Sequence, residues 1–390
     1  MIHRALELRL VAASCAVAAA TLCLAAAPAV HAQERPADLT VLPPVPTDYT
    51  PAKTPWGDYD FRGTWPIEYI NNARILFQRP QSYGNRVWLN DEEFAKRLDA
   101  AEKSDGAFSP DGGLNAGGTQ GLAQWVKDSS FGKRTSMLVS PADGQLPPLT
   151  PQGEALYKAG RSGWVPQQHF DWVDDFDSWD RCISRGFPAS MYPFRYNNGI
   201  RIYQSPGYVV IALEMLGTRV IPIGDTPQWP SNVEAWMGQS RGRWEGKTLV
   251  IETTNIKSGD SATHDPYKRS ASPVNMATQN VPPFNTIPMS KQARVVERIT
   301  MTGPNSIVHE LTYSDPEVFT APWTTRIEWA RDDDYEFFEY ACHEGNVQIR
   351  NYITASRAHR EQIAAGTASA DETDSRDRFA QPFDRDPAAP

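Results

Sequence analysis

The stretch from Ile200 to Ile256 constrains this chain more than any other. Its apolar runs are of strand length, and turn signals break them at Ser205-Pro206-Gly207, Leu216-Gly217, Gly224-Asp225 and Glu245-Gly246. Runs this short, separated this regularly, predict antiparallel strands joined by tight connections. The chain also carries 32 Pro and 12 Trp with few long helical patterns, which favours short strands and rigid loops over a helical bundle. The expected fold is mainly β, an antiparallel meander forming a barrel or a sandwich, with a few short helices and long Pro-rich loops.

Residues 1–32 read as a leader. Arg4 and Arg9 precede an Ala-rich apolar run from Leu10 to Ala27, and Val30-His31-Ala32 places small residues around a cleavage point before Gln33. A signal peptide cleaved after Ala32 is expected in preference to an uncleaved anchor, giving a periplasmic or secreted protein. No later stretch approaches the roughly twenty apolar residues of a spanning helix, so no membrane span is expected. The whole chain has 38 Lys and Arg against 47 Asp and Glu. Without the leader, which holds Arg4, Arg9 and Glu7, the balance is 36 against 46, or −10. Such a chain repels phosphate backbones, and nucleic acid is not an expected partner. Removal of the leader also takes away Cys15 and Cys23, leaving Cys182 and Cys342 as a pair in an oxidising compartment. A disulfide between them would contribute on the order of 4 kcal/mol by closing a long loop.

Residues 33–55 form a Pro-rich leader segment, expected to run extended on the surface. Residues 56–358 are read as one β-rich globular domain, and residues 359–390 as a disordered tail. Within the domain, Asn90 or Asp91 can cap a helix that carries Phe94 and Leu98 on one face, and Thr150 can cap another that begins at Pro151. Lys103 to Gln120 is expected to be a mobile loop. Strands are predicted at Thr135–Val139, as a pair at Ala293–Met301 and Ile307–Tyr313, and as a second pair at Thr324–Ala330 and Tyr335–His343. The acidic run HFDWVDDFDSWD ending at Asp180 could hold a hard cation, but it lacks the alternation of a Ca²⁺ loop and reads better as a solvated acidic loop. Gly63-Thr64-Trp65 resembles the Gly-x-Trp start of lipocalins, which implies a lipocalin-like barrel; a buried Trp beside a turn Gly explains the same residues.

Period-2 alternation is broken in places that bear on chemistry. Glu297 falls on the face of Val295, Ile299 and Met301, His309 on that of Ile307, Leu311 and Tyr313, and Glu339 with His343 on that of Phe337 and Ala341. Glu214 falls with Tyr208 and Val210, and Arg219 opens the following strand. Were these faces to point into one enclosure, carboxylates, an Arg and His residues would converge there. Buried carboxylates of this kind serve either acid–base chemistry or a structural ion-pair network. Cys342-His343 with Cys182 also admits a metal reading, although neighbouring strand residues point to opposite faces; no metal and no cofactor is expected. His-Glu-x-x-His pairs and phosphate-binding Gly loops are absent, and Ser184 and Ser240, each preceding an Arg-Gly step, read as turns that position a guanidinium and not as nucleophiles.

Several segments together resemble a group of exported bacterial proteins without an established activity: RTSMLVSPADGQLPPLTPQG from Arg134, RCISRGFPASMYPFRYNNGIRIYQSPGYVVIALEM from Arg181, RVIPI from Arg219, WMGQSRGRWEGKTLVIETTNI from Trp236 and EYACHEGN from Glu339. The resemblance implies a signal peptide and one β-rich domain, and points to Glu214, Arg219, Arg241, Glu297, Glu339 and His343. This chain departs from that pattern at Leu216-Gly217, in place of a His-acid pair, and at Gln239, in place of an Asp.

Three functions follow as expectations. One is metal-free acid–base chemistry (elimination, hydration or isomerisation) on a small aromatic or terpenoid-like molecule. Glu297 or Glu214 would then be the base, His343 or His309 the acid, and Arg219 or Arg241 the anion-stabilising group, with Glu339 a further candidate. Tyr208, Trp236, Trp244 and Tyr340 would supply the walls. The second is a carrier of a hydrophobic molecule in the same cavity, without a reaction. The third is a surface protein that uses exposed aromatics on polymers or partners.

Overall fold

A computed structural model describes residues 35–66, 75–108, 122–129, 131–158, 169–176, 178–194, 197–257, 273–274 and 287–369. The expected signal peptide lies outside the described residues, as does most of the loop expected at 103–120. Ten strands build the core: β1 (Gly63–Thr64), β2 (Leu138–Ser140), β3 (Ile200–Ser205), β4 (Tyr208–Leu213), β5 (Thr218–Pro222), β6 (Gln239–Glu245), β7 (Thr248–Thr254), β8 (Arg294–Gly303), β9 (Ser306–Ser314) and β10 (Trp323–Ala330). They form two antiparallel sheets, one in the order β1-β3-β4-β5 and one in the order β2-β10-β9-β8-β7-β6.

The hairpins follow from the turn signals. Gly207 and Gly246 both take positive φ, the backbone state a two-residue connection demands, and they join β3 to β4 and β6 to β7 in register. Alternation then sorts the faces. Val295, Ile299 and Met301 on β8, Ile307, Leu311 and Tyr313 on β9, and Trp323, Ile327 and Trp329 on β10 are all buried. They meet Ile200, Ile202, Val209, Ile211 and Ile221 of the smaller sheet in one apolar core.

This arrangement corrects the barrel expectation. The two sheets remain separate and no closed barrel forms among the described residues, an arrangement compatible with a sandwich. Their nearest approach is a single parallel bridge between Ile223 and Gly242, beyond the end of β5. Trp65 is fully buried, with its indole N–H donating to the Phe61 carbonyl at 3.0 Å, the packing of a core Trp beside a positive-φ glycine.

The helices sit where their caps place them. In α1 (Asp91–Phe108), Asn90 Oδ1 accepts from the Glu93 N–H and Glu93 Oε2 accepts from the Asn90 N–H, both at 2.9 Å, a reciprocal capping box. The α2 helix (Leu122–Asp128) packs on α1. In α3 (Pro151–Lys158), Thr150 Oγ1 accepts from the Gly153 N–H. The Pro-rich segment is held to the surface: the Leu39 carbonyl accepts from the Val87 and Trp88 N–H groups, and Trp88 Nε1 donates to the Val41 carbonyl.

Two further expectations are corrected beyond β10. Tyr335–His343 is no strand: the chain turns at Asp332, crosses the end of the small sheet and enters α4 (Cys342–Gly345) and α5 (Gln348–Ala364). The tail expected from residue 359 begins inside α5, whose Arg357 and Arg360 pair with Asp171. In the same run Asp175 accepts from the Asp171 and Trp172 N–H groups, and no cluster of metal-binding side chains occurs among the described residues. A disulfide joins Cys182 to Cys342 and so ties this C-terminal segment to the chain ahead of β3. The described residues all belong to one compact unit, Ala32–Pro390. None of their helices is long and apolar enough to cross a membrane.

Candidate functional site

Of the residues that break alternation, three converge. Glu297 on β8 and His309 on β9 point into the core, and Arg219 on β5 reaches them from the opposite sheet. Arg219 Nη1 donates to Glu297 Oε1 at 3.0 Å and Nη2 donates to Oε2 at 2.5 Å, a bidentate pair, while His309 Nε2 lies 3.0 Å from Oε1. Ser240 Oγ and Thr253 Oγ1, on β6 and β7, accept from the same Arg219 Nη2 and bond to each other at 2.8 Å. The guanidinium lies 4.5 Å from the centre of the Phe187 ring, and the His309 ring packs on Trp329 with centres 4.7 Å apart.

The electrostatics of this cluster are those of an ion pair sealed from water. Burial alone would push the Glu297 carboxyl up, but the Arg219 charge and the His309 contact overcome it and hold the group at about 2, so it is ionised at neutral pH. Beside it, burial pushes the Tyr192 hydroxyl well above its ordinary value, against the pull of its contact with Thr325. Glu297 and His309 have no accessible surface and Arg219 only 2%. In this structure neither Glu297 nor His309 presents surface to a ligand. What the cluster does is join the two sheets through a charged contact that only one register satisfies.

The other predicted residues lie elsewhere. Glu214 is buried at the end of β4 and accepts from the Gly199 N–H at 2.8 Å, the Tyr335 hydroxyl at 2.7 Å and the Phe338 N–H at 2.9 Å. It fastens the segment after β10 to the small sheet. Glu339 and His343 are exposed on that segment and its helix, apart from the core, because the expected strand does not form. Tyr340 stacks on Trp179, Tyr208 stands half exposed at the β3–β4 turn, and Trp244 packs edge-on against Tyr59 and Phe61. Trp236 lies under Lys257, whose Nζ is 4.7 Å from the ring centre. Leu216 borders a cleft of about 20 Å³ with Arg185, Ser190 and Asn198, room for about one water molecule.

The largest concavity among these lies where the sequence reading did not look. Between β5 and β6 the chain runs from Gly224 to Gly238 without regular structure, yet it is tightly held. Gln239, buried at the start of β6, accepts the Trp229 N–H on Oε1 at 2.7 Å and donates from Nε2 to the Pro227 carbonyl at 2.8 Å. Asn255, at φ +54°, donates its amide to the Pro230 and Val233 carbonyls. A parallel bridge pairs Ala235 with Ile256, and Gly238 closes the loop at φ +66°, where a Cβ would sit 2.6 Å from the Thr254 carbonyl. An Asp at position 239 could not donate to Pro227 as the Gln239 amide does.

Under this loop lies an open groove of about 720 Å³, with Trp229, Ser231, Asn232, Glu234, Lys291 and Gln292 among its lining residues. Arg241 joins its edge indirectly, touching Gln228 at 3.2 Å and Glu252 at 3.4 Å, while Glu252 also pairs with Arg294. Trp229 is 40% exposed.

Comparison of the chain with family profiles, curated proteins and solved structures finds no match. The functional reading therefore rests on geometry. The Arg219–Glu297–His309 cluster offers no open surface, whereas the groove is lined by amides, hydroxyls, one indole and the charged Glu234, Lys291 and Arg294.

Proposed function

We propose that this is an exported, non-catalytic binding protein whose ligand docks in the groove beneath the Gly224–Gly238 loop. The observation that carries this reading is the contrast between two places: the Arg219–Glu297–His309 cluster has no ligand-accessible surface, while the groove is open and walled by a loop that Gln239 and Asn255 hold by hydrogen bonds. Long ordered loops without secondary structure recur at binding sites, because the scaffold supplies in advance the order that binding would otherwise have to impose. Export is supported by the Cys182–Cys342 disulfide, which persists in an oxidising compartment, and by the leader composition. The aromatic or terpenoid-like ligand of the acid–base reading calls for a greasy enclosure; the groove instead mixes one indole with polar side chains, which suits a ligand carrying both an apolar face and hydrogen-bonding groups.

The test is retention from a complex mixture. Immobilised wild-type protein and Trp229→Ala are exposed to the same small-molecule extract, washed, and their eluates compared by mass spectrometry. Molecules held by the wild type, lost from the variant and released chemically unaltered are expected. Identical eluates from both proteins would refute the groove as a binding site.

A further inference from the structure

We infer that the groove takes a neutral carbohydrate, with a sugar ring laid on the Trp229 indole. This assignment rests on the groove being the binding site and adds its ligand class. Three observations converge on it. Trp229 has no ring partner, and its indole N–H makes no hydrogen bond among the described residues, although its backbone N–H is fixed by Gln239. The side chain is 40% exposed on a backbone that Gln239 holds, and an indole is a surface that the C–H face of a pyranose covers well.

The polar groups around it carry the second argument. The side chains of Ser231, Asn232 and Gln292 are exposed and make no hydrogen bond among the described residues. Two amides and a hydroxyl offer donors and acceptors together, which matches sugar hydroxyls, each of which donates and accepts. A purely apolar ligand would leave these groups without partners on desolvation and so bind more weakly than one that meets them.

The third argument is charge. Each cation in the groove is met by a carboxylate: Lys291 by Glu234 at 3.2 Å, and Arg294 by Glu252 at 3.0 Å. A phosphate or carboxylate ligand would have to displace one of these pairs, while a neutral ligand leaves both in place.

The experiment is calorimetric titration of the full disulfide-bonded protein. The probes are neutral glucose-based and N-acetylglucosamine-based hexasaccharides, a hexagalacturonate of similar size, a neutral hexapeptide and the apolar dye anilinonaphthalene sulfonate. Binding of at least one neutral hexasaccharide is expected, weakened about tenfold or more in Trp229→Ala and severalfold in Asn232→Ala, with unchanged melting temperatures because both side chains are exposed. Saccharide binding that survives Trp229→Ala, or Trp229-dependent binding of the uronate, peptide or dye without any neutral sugar, overturns the carbohydrate assignment while leaving the groove as a site. Absence of Trp229-dependent binding by every probe overturns the assignment as well, and the extract-retention comparison then decides the groove separately.

Discussion

Replacing Glu297 by Gln should destabilise the fold more than any single surface change. The substitution keeps the shape of the side chain but removes its charge. It leaves the Arg219 guanidinium, 1% exposed, without a counter-charge and sets an amide N–H₂ among its donors. Uncompensated buried charges of this kind cost about 3–5 kcal/mol, a large fraction of the roughly 5–15 kcal/mol that holds a domain together. The titration of Glu297 agrees in size: a carboxyl held at about 2 instead of its ordinary 4.5 contributes about 3 kcal/mol at neutral pH. Because the folded value is the lower one, that contribution is complete above about 4.5 and is lost as pH falls toward about 2. Equilibrium urea unfolding at pH 7 and along this acid range reads both effects. The Gln variant should show a lower midpoint at pH 7 and a flatter decline in acid. Arg219→Met combined with Glu297→Leu should recover much of the loss, since two apolar groups replace two charges and Ser240 and Thr253 keep their mutual hydrogen bond. A loss under about 1 kcal/mol for Glu297→Gln, or an unchanged acid profile, would refute the reasoning.

Two other expectations concern the C-terminal segment. Reduction of the Cys182–Cys342 bond, or its replacement by a Ser pair, should lower stability by on the order of 4 kcal/mol, read as a drop in the denaturant midpoint under reducing conditions. An unchanged midpoint would mean that the 160-residue loop is already constrained in the unfolded chain. Gly199→Ala should release the segment around Tyr335, because a Cβ there would sit 2.8 Å from Glu214 Oε2 and 2.9 Å from the Tyr335 and Phe337 rings. Faster hydrogen exchange at the Phe338 amide is the expected signal, and wild-type protection there would contradict it.

Local chemistry made much of this protein legible. The turn glycines, the caps at Asn90 and Thr150 and the alternation along β8 and β9 are all written within a few residues of where they act, and Glu297 and His309 were visible as charged or polar groups on apolar faces. Their common partner was not, because Arg219 comes from the other sheet and only packing brings the two together. The strand expected at Tyr335–His343 failed for a related reason: its alternation is real, but Glu214 and the disulfide, both distant in sequence, hold those residues against the sheet end. The Gly224–Gly238 loop has no periodicity to read. Its only advance signals were two prolines, Pro227 and Pro230, flanking an unpaired Trp, and the Gln239 amide that orders it announces itself only once β6 is in place.

By itself, then, the amino-acid order determined the β-rich class, the hairpin turns and the helix starts, since each depends on neighbours, and it made the Cys182–Cys342 bridge the expected pairing that the structure contains. Tertiary structure alone decided that the sheets stay open, that Arg219, Glu297 and His309 are sealed between them, and that a groove forms beside β6. Those outcomes depend on contacts between residues tens to hundreds of positions apart, where the free energy of burial and ion pairing, and not local conformational preference, selects the arrangement.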